Sequence, residues 1–189
     1  WREGLNNHDP TTTMDWVKNI VPSGRKFSTI EDVKAFSDEF IRGSGMEVLD
    51  FAMELLSIPD SAKSLIRQRY TYLGEPSLRE FAPYAAFVLK VDIFYYLCLR
   101  SSFISKDRAS NKADIAYLYY LPFCHAFVSK DNLHKRVAGL FMESGQRFVD
   151  ADDLKKALKE ADEYYSQFKE EIDKVGLMRY VGYPSPELK

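Results

Sequence analysis

The chain has few of the features that mark well-defined protein classes. Its 189 residues include only two cysteines, Cys98 and Cys124, and both lie in apolar runs. Such cysteines are typical of free, buried thiols in a reducing compartment rather than of a disulfide framework. The longest uninterrupted apolar runs, 93–99 and 115–124, are far shorter than the roughly 20 residues that span a bilayer. No secretory signal opens the chain, so we expect a cytoplasmic protein without a membrane segment.

Several catalytic motifs are missing as well. The spacing of cysteine and histidine residues does not resemble a zinc site. The chain has no glycine-rich phosphate loop and no nucleophile-elbow motif of a serine hydrolase. It begins at Trp1 rather than at methionine, and we therefore expect the native protein to include sequence upstream.

The first 80 residues carry mainly helical patterns. A length of 189 residues with 46% hydrophobic residues indicates one main domain. Ser28 and Glu31 have the spacing of a capping box. The expected helices are Thr13–Val21, one that begins after Ser28 and ends at Gly43, Met46–Ile58, and one from Asp60 or Ser61 to Tyr70. Within the third helix, the segment 47–53 also fits a buried strand.

The segment 81–150 carries a different pattern. Residues 84–99 are apolar around nearly the whole helical circumference, which is typical of a central helix. A helix at 114–121, a strand at 126–129, a helix at 132–142 and a strand at 147–149 then follow. This order predicts a βαβ unit with parallel strands and a right-handed crossover. Two short strands do not form a stable sheet alone, so we expect further strands at 47–53, upstream of Trp1 or in a partner chain.

The C-terminal part predicts one long helix over 151–176, started by Asp150 and ended by Gly176, with a tail at 177–189. An apolar seam runs along this helix at alternating spacings of four and three, as Leu154, Leu158, Ala161, Tyr165, Phe168, Ile172 and Val175. Such a seam either docks on the domain or forms a coiled-coil contact with a protein partner or a second copy. The predicted fold class is thus α/β, predominantly helical, with a small parallel sheet in the C-terminal half.

Three aspartates, Asp92, Asp114 and Asp131, are the candidate functional residues, and each has a structural alternative. Asp114 can pair with Asn111 in a capping box, and Asp131 can cap the helix that follows the first strand. Asp131 also lies at the carboxyl end of a strand, where ligands bind in open α/β sheets. Asp92 lies inside the buried helix and requires either a cation such as Arg100 or Lys112, or a metal ion.

The stretch DIAYLYYLPFCHAFVSKD, from Asp114 to Asp131, resembles the second half of a PIN-like nuclease domain. In that family an aspartate opens a helix, and a later strand ends in Thr/Ser-x-Asp. Asp114 matches the first position, and Ser129 with Asp131 matches the second. The resemblance covers roughly residues 84–149. The family's first aspartate ends an N-terminal strand, for which Asp50 or a residue upstream of Trp1 is the candidate.

The resemblance implies a ribonuclease that depends on magnesium or manganese, with Asp92, Asp114 and Asp131 as catalytic and metal-binding residues. Hard divalent cations prefer carboxylate oxygens and can activate water for hydrolysis. Ser129, Lys112 and Lys130 would then contact the RNA substrate. Seven lysine and arginine residues against three aspartates between 98 and 139 agree with a phosphate-binding region. The alternative function is a non-catalytic helical module that binds another protein.

Overall fold

The computed structural model describes residues 17–108 and 110–177. Over these residues the chain is predominantly helical, with a small parallel two-stranded sheet in its C-terminal half, which confirms the predicted fold class. The helices are α1 (Ile30–Arg42), α2 (Met46–Leu55), α3 (Asp60–Tyr72), α4 (Leu78–Phe81), α5 (Pro83–Arg100), α6 (Asn111–Ala116), α7 (Asn132–Val137), α8 (Ala151–Ser166) and α9 (Lys169–Val175). The strands are β1 (Ala126–Ser129) and β2 (Arg147–Asp150), and 3₁₀ helices occur at Tyr117–Phe123 and Ala138–Leu140.

Helix α1 begins one residue later than the sequence predicted. The capping box uses Thr29 and Asp32 instead of Ser28 and Glu31. The Asp32 carboxylate accepts the backbone N–H groups of both Ser28 and Thr29, each at 3.0 Å. It therefore satisfies two donors at the helix start, which explains why the pattern shifts by one position. Gly43 ends the helix, as expected.

The segment 47–53 is helical and belongs to α2. The helix expected over 46–58 is therefore confirmed in its first ten residues. Of the three places considered for a further strand, 47–53 is excluded, and the sheet in the described residues has two strands. Asp50 points from α2 to α3, where Arg67 Nε donates to its carboxylate at 2.8 Å. Asp50 thus does not end a strand, and its structural role is to join two helices.

Helix α5 is central, as its uninterrupted apolar character predicted. All residues from Val91 to Leu99 are buried, and α5 packs against α1, α2, α4 and α6. Because neighbours cover every side of the helix, it needs no polar face. The burial of these side chains removes a large apolar surface from water, which favours folding.

The two strands are short, and the helices around them are shorter than predicted. The expected helix at 114–121 is divided into α6 and a 3₁₀ helix that continues through Pro122 to Phe123. The helix expected at 132–142 ends at Val137 and continues as 3₁₀ to Leu140. At the start of the paired strands, the backbone N–H of Arg147 donates a hydrogen bond to the His125 carbonyl at 2.9 Å. The Phe127 and Phe148 side chains pack on the core, so the sheet has apolar support from the helices.

The chain divides into two compact units. The first comprises residues up to 127 together with 131–148, and the second comprises 128–130 and the residues from 149 onward. The boundary predicted at residue 80 therefore lies inside the first unit. In the second unit Asp150 caps α8 by accepting from the Asp152 N–H, and Gly176 ends α9 with a φ of 83°, both as predicted. The helical segment is not continuous, because the N–H groups of Gln167 and Phe168 bond three residues back and end α8.

Both cysteines are free, as predicted. Cys98 is fully buried, and this burial raises the pKa of its thiol to about 12. No helix in the described residues combines the length and apolar character needed to cross a bilayer. The first four residues of the predicted helix 13–21 and all but the first residue of the predicted tail 177–189 lie outside the described residues, whereas residues 17–19 are helical.

Substitution of a core leucine tests the central position of α5. We expect Leu97→Ala to lower the free energy of unfolding by about 2–5 kcal/mol, because Leu97 is fully buried and alanine leaves a cavity. Leu65→Ala on α3 is the matched control, since Leu65 is 66% exposed and should change stability by less than about 0.5 kcal/mol. Urea denaturation measures both variants, and equal losses would contradict the assignment of α5 as the core.

Candidate functional site

Asp92 forms a buried ion pair inside the helical unit. Lys112 Nζ lies 2.5 Å from Asp92 Oδ1, and the Tyr119 hydroxyl donates a short hydrogen bond to the same oxygen. Asp92 is only 7% exposed. Of the two interpretations that the sequence left open for Asp92, the structure contains the ion pair with Lys112. We call Asp92, Lys112 and Tyr119 the Asp92 network.

The Lys112 ammonium is also surrounded by aromatic rings. Its Nζ lies 5.5 Å from the ring centroid of Tyr95, 5.0 Å from that of Tyr96 and 6.0 Å from that of Tyr119. The negative faces of these rings attract the cation and replace part of the water that it loses on burial. Lys112 therefore contacts Asp92 and aromatic rings in the interior of the protein, whereas the resemblance predicts that it contacts the substrate.

The tyrosines of this region remain protonated over a wide pH range. Burial is the main cause that raises the pKa of Tyr119, and the Asp92 carboxylate raises it further. Burial also raises the pKa of Tyr95 to about 12, with smaller contributions from the charges of Asp92 and Asp114. Tyr119 is therefore a hydrogen-bond donor to Asp92 and not a base at neutral pH. Because these pKa values are raised in the folded state, their contribution to stability is complete below about pH 10 and is lost as the pH rises toward 12 and above.

Asp114 does not form the predicted capping box. Asn111 is the first residue inside α6, and its side-chain amide donates to the Ser105 carbonyl at 2.9 Å. No side chain caps α6. The charge of the Asp114 carboxylate contributes to the raised pKa of Tyr95, and its Oδ2 is buried without a hydrogen-bond partner among the described residues. The backbone carbonyl of Asp114 is 2.7 Å from Nε2 of His134, and the His134 side chain is buried.

Asp131 is the N-cap of α7. Its Oδ1 accepts the backbone N–H groups of Leu133 at 2.7 Å and His134 at 3.4 Å, and Arg108 approaches Oδ2 at 3.7 Å. The structural alternative for Asp131, a helix cap, is therefore confirmed. Ser129 is half-buried in β1, and Lys130 is exposed after it.

The three aspartates are engaged in different ways. Asp92 pairs with Lys112, Asp114 has a buried oxygen without a hydrogen-bond partner among the described residues, and Asp131 caps the helix that carries His134. Among the described residues no group of three or more histidine, cysteine, aspartate or glutamate side chains has the arrangement needed to hold a metal ion. What the arrangement achieves chemically is the neutralisation of a buried carboxylate by a lysine, with an additional hydrogen bond from a phenol. The Asp92 network is thus a structural feature. The sequence offered Lys112 as one of two possible cations for Asp92, whereas the contact with Tyr119 was not predicted.

A separate cavity of about 610 Å³ lies in the first unit, and the sequence analysis did not identify it. Tyr84 and Phe123 form one part of its wall, with ring centroids 5.0 Å apart and planes tilted by 56°. Tyr84 is 45% exposed and Phe123 is 70% exposed. Each of these rings follows a proline in sequence, which holds the backbone before it in a restricted conformation. We call this cavity the Arg79 groove.

Charged side chains line the Arg79 groove. Arg42, Arg79 and Lys90 supply positive charge, and Asp38 and Glu143 supply negative charge. Asp38 is shared by two lysines, Lys34 at 2.5 Å and Lys90 at 3.6 Å. Burial, followed by the positive charge of Lys34, lowers the pKa of Lys90, and Arg79 contributes in the same direction. The groove is therefore a place where positive charges are close enough to repel one another.

These groove residues are far apart in sequence and follow no local motif. Arg42 ends α1, Arg79 lies in α4, Tyr84 begins α5 and Phe123 ends a 3₁₀ helix. The only sequence signal is the pair of proline-aromatic steps, Pro83-Tyr84 and Pro122-Phe123, which is too common to predict a site. Only the packing of four elements brings the side chains together.

Comparisons of the chain with protein-family models, with curated proteins and with solved structures found no match. The resemblance to PIN-like nucleases therefore stays a prediction from the stretch between Asp114 and Asp131. The function has to be argued from the side chains of this chain.

Removal of the lysine from the Asp92 network should destabilise the protein. We expect Lys112→Met to lower the free energy of unfolding by about 3–5 kcal/mol, because methionine leaves the buried Asp92 charge without its cation. The double variant Asp92→Asn with Lys112→Met should recover part of this loss, since it removes the unpaired charge. Lys106→Met is the matched control at an exposed lysine. Urea denaturation would contradict the role of the network if Lys112→Met and Lys106→Met had the same stability.

Proposed function

We propose that this chain is a non-catalytic helical module that binds another protein through its C-terminal helical segment, α8 and α9. The observation that supports this proposal is an apolar seam that its own unit does not bury. Neither α8 nor α9 contains a buried residue. Leu158 is 59% exposed and Val175 is 48% exposed, although both belong to the regular 4-3 seam.

The remaining seam residues are the least exposed positions of the segment. Leu154, Ala161, Tyr165, Phe168 and Ile172 are half-buried, whereas most residues between them are exposed. The segment is therefore amphipathic, with its apolar side partly open to water. Apolar side chains at this spacing fit the apolar face of another helix, in which each side chain packs between those of the partner. Exposed apolar surface of this kind is typical of a protein interaction site.

Charge favours one type of partner. Between 150 and 173 the segment has nine acidic residues and four lysines. Two copies of such a segment would repel each other, whereas a helix with excess positive charge would be attracted. The proposed partner is therefore an amphipathic helix with a basic polar face on a different protein.

The metal-dependent ribonuclease is the second candidate function, and one observation favours it. The buried Oδ2 of Asp114 has no hydrogen-bond partner in the described residues, and a bound cation would compensate such an oxygen. The ion pair of Asp92 with Lys112 and the capping role of Asp131 are reasons to rank this function second. In this candidate, as in the resemblance, magnesium or manganese would be the metal and RNA the substrate.

A basic helical peptide tests the interaction proposal. The peptide carries leucine at 4-3 spacing and lysine at its other positions, and its labelled form is followed by fluorescence anisotropy. We expect saturable binding to the full chain, and Leu158→Asp should weaken the affinity at least about tenfold, because the aspartate places a charge in the seam. Leu65→Asp is the matched control, since Leu65 has similar exposure but lies in the first unit.

Two outcomes would count against this proposal. One is an equal loss of affinity in Leu158→Asp and Leu65→Asp. The other is equal binding of a peptide in which glutamate replaces every lysine. Sedimentation of the chain alone would show whether a second copy occupies the seam, because the mass of the wild type would then double and that of Leu158→Asp would not.

A metal titration separates the two candidate functions. Under the interaction proposal, millimolar Mn²⁺ should leave the melting temperatures of the wild type and of Asp131→Asn unchanged. Asparagine caps a helix about as well as aspartate, so the substitution itself should cost little stability. Stabilisation of the wild type by Mn²⁺ relative to chelator, with loss of that effect in Asp131→Asn, would instead favour the ribonuclease.

A further inference from the structure

The Arg79 groove has the size and composition of a small-molecule site. Its volume of about 610 Å³ lies within the usual range of ligand pockets, about 300–1,000 Å³. Its walls combine apolar rings with a few charged side chains. In ligand sites the apolar rings usually supply the contact surface, and the charged groups orient the ligand. The groove belongs entirely to the first unit.

The aromatic wall offers a surface for a planar ring. Tyr84 and Phe123 contact each other and still expose 45% and 70% of their surfaces. Exposed aromatic rings of this kind stack on nucleobases and on similar planar groups. Pro83 and Pro122, which precede them, also line the groove and restrict its backbone. The platform is therefore formed before any ligand arrives.

The charged wall favours an anion. Neither Arg42 nor Arg79 forms an ion pair with a described residue. Asp38 is already neutralised by Lys34 and Lys90. Burial, followed by the positive charges of Lys34 and Arg79, disfavours the charged form of Lys90, and a bound anion would relieve the repulsion between these charges. Arginine also binds phosphate oxygens in a bidentate manner, which gives geometric selectivity for that group.

We infer that the Arg79 groove binds a ligand in which a planar ring is joined to a phosphate, as in a nucleoside monophosphate. The ring lies on Tyr84 and Phe123, and the phosphate contacts Arg79 and Arg42. Glu143 is an acidic residue in the same wall and opposes the phosphate. This inference goes beyond the proposed function and does not depend on it, because the seam of α8 and α9 lies in the other unit.

Calorimetric titration of the full chain with AMP, adenosine and inorganic phosphate tests this inference. We expect one AMP per chain, with adenosine and phosphate each at least about tenfold weaker, because each keeps only one of the two contacts. Arg79→Gln should weaken AMP about tenfold and leave adenosine unchanged. Tyr84→Ala should weaken both AMP and adenosine. Glu143→Gln should strengthen AMP, because it removes the opposing charge.

Matched controls are available on α3. Arg69 is exposed, and Tyr72 is 84% exposed outside the groove, so Arg69→Gln and Tyr72→Ala should leave AMP binding unchanged. Phe123→Ser changes a more exposed ring and provides a second test of the platform if Tyr84→Ala does not fold. Competition by a single-stranded RNA trinucleotide with a 5′-phosphate distinguishes the sources. If the trinucleotide displaces labelled AMP at a concentration equal to or lower than that of unlabelled AMP, the ligand of the groove is the end of an RNA chain. If it needs a higher concentration, the ligand is the free nucleotide.

Three results would overturn the inference. The first is an absence of saturable AMP binding at millimolar concentration. The second is AMP binding that responds to Arg79→Gln and Phe123→Ser no more than to the two control substitutions. The third is tighter binding of an acidic peptide, such as Glu-Glu-Tyr-Glu, than of AMP, which would assign the groove to a protein segment.

Discussion

The negative charge of Asp92 inside the most deeply buried helix is the constraint on which the arrangement of the first unit depends. Every other residue of α5 from Val91 to Leu99 is uncharged, and a lone carboxylate there would cost several kcal/mol. Lys112 from α6 neutralises it, and Tyr119 from the 3₁₀ helix that follows donates a hydrogen bond to it. The pairing therefore requires α6 and the 3₁₀ helix to pack on one side of α5. A buried ion pair of this kind selects one packing arrangement even where its net contribution to stability is small.

The two ends of the same helix serve different purposes. The middle and C-terminal part of α5 holds Asp92 and the tyrosines around Lys112, and it is closed to water. The N-terminal part begins at Pro83 and Tyr84 in the wall of the Arg79 groove, where aromatic and cationic groups are open to solvent. Asp92, Lys112 and Tyr119 in the interior are satisfied by one another, whereas Arg42 and Arg79 in the groove form no ion pair with described residues. This contrast favours the groove over the buried carboxylate as a place for a ligand.

Asp114 and Asp131 have different surroundings in this fold. Its backbone carbonyl contacts His134, while its Oδ2 has no hydrogen-bond partner in the part of the chain that the structure describes. Asp131, by contrast, fulfils a local requirement, because its carboxylate accepts the first N–H groups of α7. The two aspartates that the sequence treated as a pair thus have different environments.

Much of the local structure was predictable from the sequence. The apolar circumference of α5, the stop at Gly43, the cap at Asp131 and the start at Asp150 depend on residues within a few positions of one another. The capping box of α1 was misplaced by one residue, because neighbouring residues offer equivalent chemistry, and the capping box predicted at Asn111 and Asp114 did not form. The tertiary structure alone decided that 47–53 is a helix, that His134 is buried, and that Lys112 pairs with Asp92. It also assembled the Arg79 groove from four separate elements. The physical reason is range: caps and periodicity act within a turn or two, whereas charge neutralisation and cavities join side chains that are 20 or more residues apart.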